Sequence, residues 1–378
     1  MNKIEDDFRG GQPFYIDSSD RMDNRLSRVR KRFDDYDAVD ALLISALPNV
    51  RWACGFTGSN GLLLVEPDQA VFVTDGRYTE QAREEVVGAD VVIAREGLLT
   101  RLKELDRFED LDRVVFQADH VTVARQEQLQ KNLPHIDWQG KTDVLMSLVG
   151  SKDGAEIERI RSAQQITEGV FDHILELLEP GLTEQAIAAE ITYEHLKRGA
   201  SSMAFDPIVA SGPNGARPHA YPTNRRLQRG DLVVIDMGGF RNGYASDMTR
   251  TVAIGEPSEA TRRAYDIVKS AQEAAIEAAR AGLTGKELDA VAREVIEAAD
   301  MGDYFSHGLG HGIGLEVHEW PRVSRTVEEE LPEGACVTIE PGVYVPEDGY
   351  GIRIEDIVAL RSEGCQNLTS ASKELIVV

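Results

Sequence analysis

Cysteine is nearly absent, with Cys54, Cys336 and Cys365 the only three among 378 residues. An odd, widely spaced set excludes a disulfide framework and a zinc ribbon, and it points to a reducing, cytoplasmic setting. Positive charge is short as well: 41 basic residues face 65 acidic ones, for a formal net charge of −24 at pH 7. Lysine is scarce and arginine carries most of the positive charge. That balance argues against nucleic acid or an anionic membrane as a partner. A solvated acidic surface suited to a salty cytoplasm accounts for the excess, because salt screens self-repulsion. No apolar run approaches the ~18 residues of a membrane-spanning helix, so none is expected. The opening MNKIEDDFRGG mixes charges of both signs and has no apolar segment, so a secretory signal is not expected.

What is present begins, after a polar lead-in over residues 1 to 22, with short apolar runs separated by turns. Arg25 to Asp37 is helix-compatible, as are Thr79–Val87 and Leu99–Leu105. Ala41–Ile44, Gly61–Val65, Ala70–Thr74, Val91–Ala94 and Arg113–Gln117 read as strands, and the alternation predicts an α/β domain. Phe56-Thr57-Gly58-Ser59-Asn60-Gly61 fits a hairpin or substrate-rim loop better than a phosphate loop, since no Lys-Ser/Thr and no helix follow it. Ser147 to Gly154 is polar and marks the boundary, which puts the domains at 1–148 and 149–378. Beyond it, Ala155–Leu178 has helical periodicity, and Thr183 caps a second helix to Arg198. Ser162-Ala163-Gln164 and Gly181-Leu182-Thr183 return as Ser270-Ala271-Gln272 and Gly282-Leu283-Thr284. Each helix pair precedes a strand-rich segment, so a duplicated helix-helix-sheet unit with pseudo-two-fold symmetry is expected.

The chemistry gathers on four stretches. In LVVIDMGGFRNGYASDMTRTV, residues 232–252, Asn242-Gly243 predicts a two-residue hairpin turn. Arg241 then faces Tyr244, Gly238 faces Asp247 and Asp236 faces Thr249. Asp236 and Asp247 sit diagonally on one face, roughly 7–8 Å apart, with Gly238 leaving space between them. A solvated hairpin face fits this stretch equally well when it is taken alone. The second stretch, Ser306 to Glu319, holds His307, His311 and His318, with glycines at 308, 310, 312 and 314. Those glycines oppose a helix and suggest an extended backbone passing close to something. The third, Cys336 to Gly342, reads as a strand with Cys336, Thr338 and Glu340 on one face, ended by Pro341. In the fourth, Gly351 to Asp356, Ile352 and Ile354 point one way, and Arg353 and Glu355 the other. Two Asp, two Glu and a histidine make an oxygen-rich set. It suits two divalent ions such as Mn²⁺, Co²⁺, Fe²⁺ or Zn²⁺, an arrangement used by hydrolases.

These motifs resemble the pita-bread metallopeptidases, specifically the Xaa-Pro peptidases (aminopeptidase P and prolidase). The resemblance covers nearly the whole chain and includes the N-terminal pieces Phe56–Gly61 and Thr74-Asp75-Gly76-Arg77-Tyr78. It implies a creatinase/prolidase-like α/β domain before a pseudo-two-fold pita-bread domain with a curved antiparallel sheet, overall α/β (α+β). It also implies two metals, Mn²⁺ foremost with Co²⁺ or Zn²⁺ as alternatives, held by Asp236, Asp247, His311, Glu340 and Glu355. Asp247 and Glu355 would bridge the ions. Glu340 would shuttle a proton and His318 would help stabilise the oxyanion. His219 and His307 would contact substrate, and Arg353 would orient Glu355 or meet a substrate carboxylate. The implied substrate is a peptide with proline in second position, cut at the Xaa-Pro bond, and the implied assembly is a homodimer. Competing readings on the same fold are a creatinase-like amidinohydrolase without metals, a methionine aminopeptidase and a non-catalytic binding protein. The first and last predict lost ligands, and the five positions are filled.

Overall fold

The structure, a computed structural model, describes residues 25–378. The expected lead-in over residues 1 to 22 lies outside them. One compact unit runs to Leu145 and a second from Met146 to Val378.

In the first unit, α1 covers residues 25–30. Six strands follow: β1 (Ala41–Ile44), β2 (Gly61–Val65), β3 (Ala70–Asp75), β4 (Asp90–Ala94), β5 (Arg113–Gln117) and β6 (Asp137–Lys141). They form one mixed sheet in the order β4-β3-β2-β1-β5-β6. Helices α2 (Leu47–Cys54), α3 (Thr79–Glu85), α4 (Leu98–Lys103) and α5 (Val123–Asn132) alternate with the strands. β1 and β2 are buried along their whole length, which is why they read as unbroken apolar runs. The segment Phe56–Gly61 connects α2 to β2 and is therefore not a hairpin turn. Its Asn60 Nδ2 donates to Asp75 Oδ2 (2.6 Å), while Ser59 and Tyr78 share a hydroxyl contact (2.6 Å), so the two motif pieces of this unit hold each other.

The second unit opens with α6 (Met146–Gly150) and α7 (Gly154–Leu177). Asp153 caps α7 in a capping box with Glu156. α8 (Glu184–Lys197) is capped by Thr183, as expected. After it come β7 (Ser202–Met203), β8 (Ile208–Ser211), β9 (Leu232–Met237), β10 (Gly239–Arg241), β11 (Tyr244–Ala245) and β12 (Met248–Ala253). The pattern then recurs with α9 (Glu259–Ala278), α10 (Gly285–Glu297), β13 (Gly310–Gly312), β14 (Glu319–Val323), β15 (Cys336–Ile339), β16 (Gly342–Val345), β17 (Tyr350–Arg353), β18 (Asp356–Arg361) and β19 (Gly364–Asn367). Thr284 caps α10 as Thr183 caps α8.

The duplication is visible in the pairing. β9 lies between β8 and β12, and β15 lies between β13 and β18, all antiparallel. Each half has its own core: Val170, Ile191 and Ile235 belong to the first, Val268, Leu288 and Val358 to the second. The two ladders meet where Glu355 N–H donates to Thr249 O (3.1 Å) and Thr251 Oγ1 donates to Arg353 O (3.0 Å). This is the two-halved antiparallel arrangement expected of the pita-bread fold.

Candidate metal centre

The site is assembled from equivalent places in the two halves. Asp236 is next to last in β9 and Glu340 follows β15; Asp247 immediately precedes β12 and Glu355 immediately precedes β18. The hairpin register is the expected one, with Arg241 opposite Tyr244 and Asp236 opposite Thr249. Asn242 (φ 50°) and Gly243 (φ 78°) make the turn. Gly238 differs from expectation. A Cβ there would lie 2.0 Å from Ser246 O and 2.9 Å from the Phe205 ring, so the room beside the aspartates is filled by backbone. Gly238 thus allows close packing and leaves no void.

The glycines around His311 are accounted for in the same way. A Cβ at Gly310 would fall 1.9 Å from Thr338 O, and one at Gly312 would fall 2.4 Å from Trp320 O. β13 is pressed between β14 and β15, and only a chain without side chains at those points fits. His311 N–H donates to Thr338 Oγ1 (3.1 Å) and its Nδ1 donates to Gly312 O (3.1 Å). That bond fixes the tautomer and leaves the Nε2 lone pair for a cation. Nε2 lies 3.3 Å from Glu340 Oε1 and 3.7 Å from Asp247 Oδ2.

Arg353 organises the acids. Its Nη2 donates to Asp236 Oδ2 (2.5 Å), and its Nε donates to Thr249 Oγ1 (3.0 Å), which in turn donates to Glu355 Oε2 (2.7 Å). Nη1 donates to Tyr344 Oη (2.8 Å) and to Pro218 O (3.2 Å). Arg353 therefore grips Asp236 directly and reaches Glu355 only through Thr249. Thr249 was legible on the same strand face as Asp247; Tyr344 had no sequence signal.

The histidines hold different positions. His307 Nδ1 donates to Gly308 O (2.8 Å) and its Nε2 meets Tyr344 Oη (3.0 Å), so both ring nitrogens are engaged. Burial holds its pKa below the usual value. His318 is exposed and stands edge-on to His311, with centroids 4.3 Å apart; partial burial and the neighbouring His311 lower its pKa. His219 is exposed on the cavity wall. Buried acids fix their loops. Glu184 accepts from Ser211 N–H, Asn214 Nδ2 and Thr223 N–H at 2.7–2.9 Å on either side of His219. Asp289 pairs with Arg293, which donates to His307 O (2.8 Å). The buried Lys152–Glu319 pair anchors the chain next to His318. None of these three anchors was read from the sequence.

All nine expected residues line one cavity of about 690 Å³. Apolar Phe205, Ile208, Val317 and Val327, exposed Tyr221, the acid Asp206 and the cation Arg322 are among the residues that line the remainder. Donor atoms of Asp247, His311 and Glu355 lie within 4.8 Å of one another. Burial, and then mutual repulsion, raises Asp247 and Glu355 well above the carboxylate range; burial also raises Asp236 despite Arg353. Burial pushes Glu340 up as well, but with no ion bound an imidazolium at His311, together with His307 and Arg353, outweighs it and holds Glu340 below the usual carboxylate range. Asp236 Oδ1 is buried with no hydrogen-bond partner among the described residues. Four carboxylates face one arginine, and such a cluster is stable when cations neutralise it. The donor set, the free His311 nitrogen and the orphaned oxygen all fit divalent ions.

Residues 158–362 match the model of metallopeptidase family M24, and residues 25–148 match the creatinase/prolidase N-terminal domain. The Xaa-Pro dipeptidase of Pyrococcus furiosus is 37% identical over 358 residues, covering 94% of this chain and 100% of the relative. A solved Xaa-Pro dipeptidase from Bacillus anthracis is 35% identical with a TM-score of 0.91, covering 94% of this chain and all of that one. An X-Pro aminopeptidase structure from Thermotoga maritima is 37% identical with a TM-score of 0.87, covering 92% and 99%. With over half of its length matched and its acids gathered at the junction of two repeated halves, the chain belongs to metallopeptidase family M24.

Proposed function

We propose that the protein is a dinuclear-metal exopeptidase that hydrolyses the Xaa-Pro bond, at the N-terminus of peptides or in Xaa-Pro dipeptides. The carrying observation is the convergence of Asp236, Asp247, His311, Glu340 and Glu355 on one cavity, with Asp236 Oδ1 buried and unpartnered. The names of the similar proteins supply the substrate class. Divalent ions held by these five residues would polarise the scissile carbonyl and make a water acidic enough to attack it. Glu340, which lines the cavity just beyond the end of β15, takes up the water proton and hands it to the leaving proline nitrogen. His318, exposed beside His311, donates to the developing oxyanion. His219 and His307 line the substrate side, and Arg353 keeps Asp236 and Glu355 in place. The scissile amide lacks an N–H, so a site built from carbonyl-directed groups suits it.

Residues 149–378 carry this chemistry. Mn²⁺ is the proposed ion, with Co²⁺ and Zn²⁺ as substitutes, because the set is rich in oxygen with a single imidazole. A homodimer is the proposed assembly. No described helix is long and apolar enough to cross a membrane, and the three cysteines are free, in keeping with a cytoplasmic location. Metal-free protein supplied with Mn²⁺, Co²⁺ or Zn²⁺ is assayed on Xaa-Pro, Xaa-Pro-Yaa and Xaa-Ala peptides. Metal-dependent cleavage confined to the proline substrates is expected. Failure to take up ions, or equal cleavage of Xaa-Ala, overturns the reading.

A further inference from the structure

One polar system, buried at Gln164, Arg250 and Thr369 and reaching the surface at Ser370 and Ser372, lies behind the metal centre and has no part in the mechanism above. It centres on the segment Thr369–Ser372, which follows β19. Gln164 of α7 is fully buried; its Oε1 accepts from Asp247 N–H (3.2 Å) and its Nε2 donates to Thr369 Oγ1 (3.0 Å). One turn on, Glu168 accepts from Ser370 N–H, Ser370 Oγ (2.9 Å) and Ala371 N–H (3.1 Å). From the other side comes Arg250, also buried. Its Nε and Nη2 donate to Ser372 O (2.9 Å) and Ala371 O (2.8 Å). Its Nη1 donates to Glu355 O (2.6 Å) and Thr249 O (3.0 Å), and Nη2 also reaches Asp356 Oδ1 (2.8 Å). Five donor contacts meet five acceptors.

We propose that Thr369–Ser372 is a strut that sets the spacing of Asp247 and Glu355, with Gln164 and Arg250 as the positioning residues that transmit it. The two acids belong to different halves, which meet directly through a neighbour of Asp247, where Thr249 O accepts from Glu355 N–H (3.1 Å) and Thr249 Oγ1 donates to Glu355 Oε2 (2.7 Å), and the strut braces that seam from behind. The segment is gripped by α7 at Thr369, Ser370 and Ala371, behind Asp247, and by Arg250 at Ala371 and Ser372, behind Glu355. A shift of the strut therefore moves one acid relative to the other. A lysine cannot replace Arg250, because a point charge lacks the planar fork that reaches four separate carbonyls. The proposal rests on the two-metal reading of the site.

The test is titration of the metal-free full chain with Mn²⁺ by calorimetry, together with the visible spectrum of the Co²⁺-loaded protein. Thr369→Val removes the acceptor of both Gln164 Nε2 and Ile357 N–H (3.0 Å each), and Gln164→Leu removes the two Gln164 bonds alone. Each variant, checked for folding by circular dichroism, is expected to bind ions about 10- to 100-fold more weakly, with an altered Co²⁺ spectrum. Thr369→Ser restores both readouts. Ile296→Ala, in the core of the second half, which none of Thr369–Ser372 packs against, serves as the destabilised control and keeps wild-type metal affinity. Should Thr369→Val fail to fold, Gln164→Leu reads the same link. Wild-type affinity and spectrum in the folded variants overturn the proposal. A wild-type protein that takes up no ions overturns the metal-centre reading instead.

Discussion

Gly310→Ala tests whether the glycine track around His311 exists for backbone packing. An ordinary contact at a Cβ begins at 3.4 Å, whereas the new methyl would stand 1.9 Å from Thr338 O, so β13 and β15 must part by about 1.5 Å. Metal ligands tolerate about 0.2 Å. The separation strains the His311 N–H bond to Thr338 Oγ1 and draws Nε2 away from Glu340 and Asp247. Overpacking of this kind costs about 1–3 kcal/mol. In a unit of this size each kcal/mol lowers Tm by roughly 2–4 °C. Elemental analysis after dialysis should show lost metal, and a thermal melt should show the drop. Gly76→Ala, where a Cβ meets nothing within 4 Å, should change neither. A Gly310→Ala protein with full metal content and unchanged Tm would refute the packing account.

Further outcomes are expected. Glu340→Gln at saturating metal should lose at least about 10²-fold in kcat, as removal of a general base does; full turnover with metal bound would remove Glu340 from the proton path. Gly243→Ala forces a side chain into φ 78° and should cost roughly 1–2 kcal/mol in denaturant unfolding, with no loss expected from an alanine at open Gly154. Stripping the ions with a chelator leaves the raised acids Asp247 and Glu355 with Arg353 as their nearest counter-charge. Stability should fall by about 2.7 kcal/mol relative to protein held at 100 Kd of metal, and a melt insensitive to the chelator would contradict this.

Much of this was legible because it is local. A two-residue turn fixes the register of its hairpin, so Asn242-Gly243 placed Asp236 opposite Thr249 without coordinates. Period-two alternation separated Ile352 and Ile354, which enter the core, from Arg353 and Glu355, which line the cavity. Other features depend on contacts far apart in the chain and leave no local trace. The Arg353–Asp236 pair joins residues on different halves, and Glu184 looks like an ordinary first-turn acid of α8 until it is seen folding the His219 loop. α2 escaped notice although Pro48 and left-handed Gly55 punctuate it, because eight residues are too few to show a helical period. α5 and β6 were missed for a similar reason: their exposed faces are polar and few of their residues are buried.

The division of the acids between the halves ties the chemistry to the integrity of the whole second unit. Asp236 and Asp247 come from one repeat, Glu340 and Glu355 from the other. Neither half alone offers more than a pair of these acids, so a nick between β12 and α9 would leave two fragments that rebuild the centre only by staying associated. His311 on its glycine-paved strand and Arg250, with its reach across the seam, then hold parts that the covalent chain no longer joins.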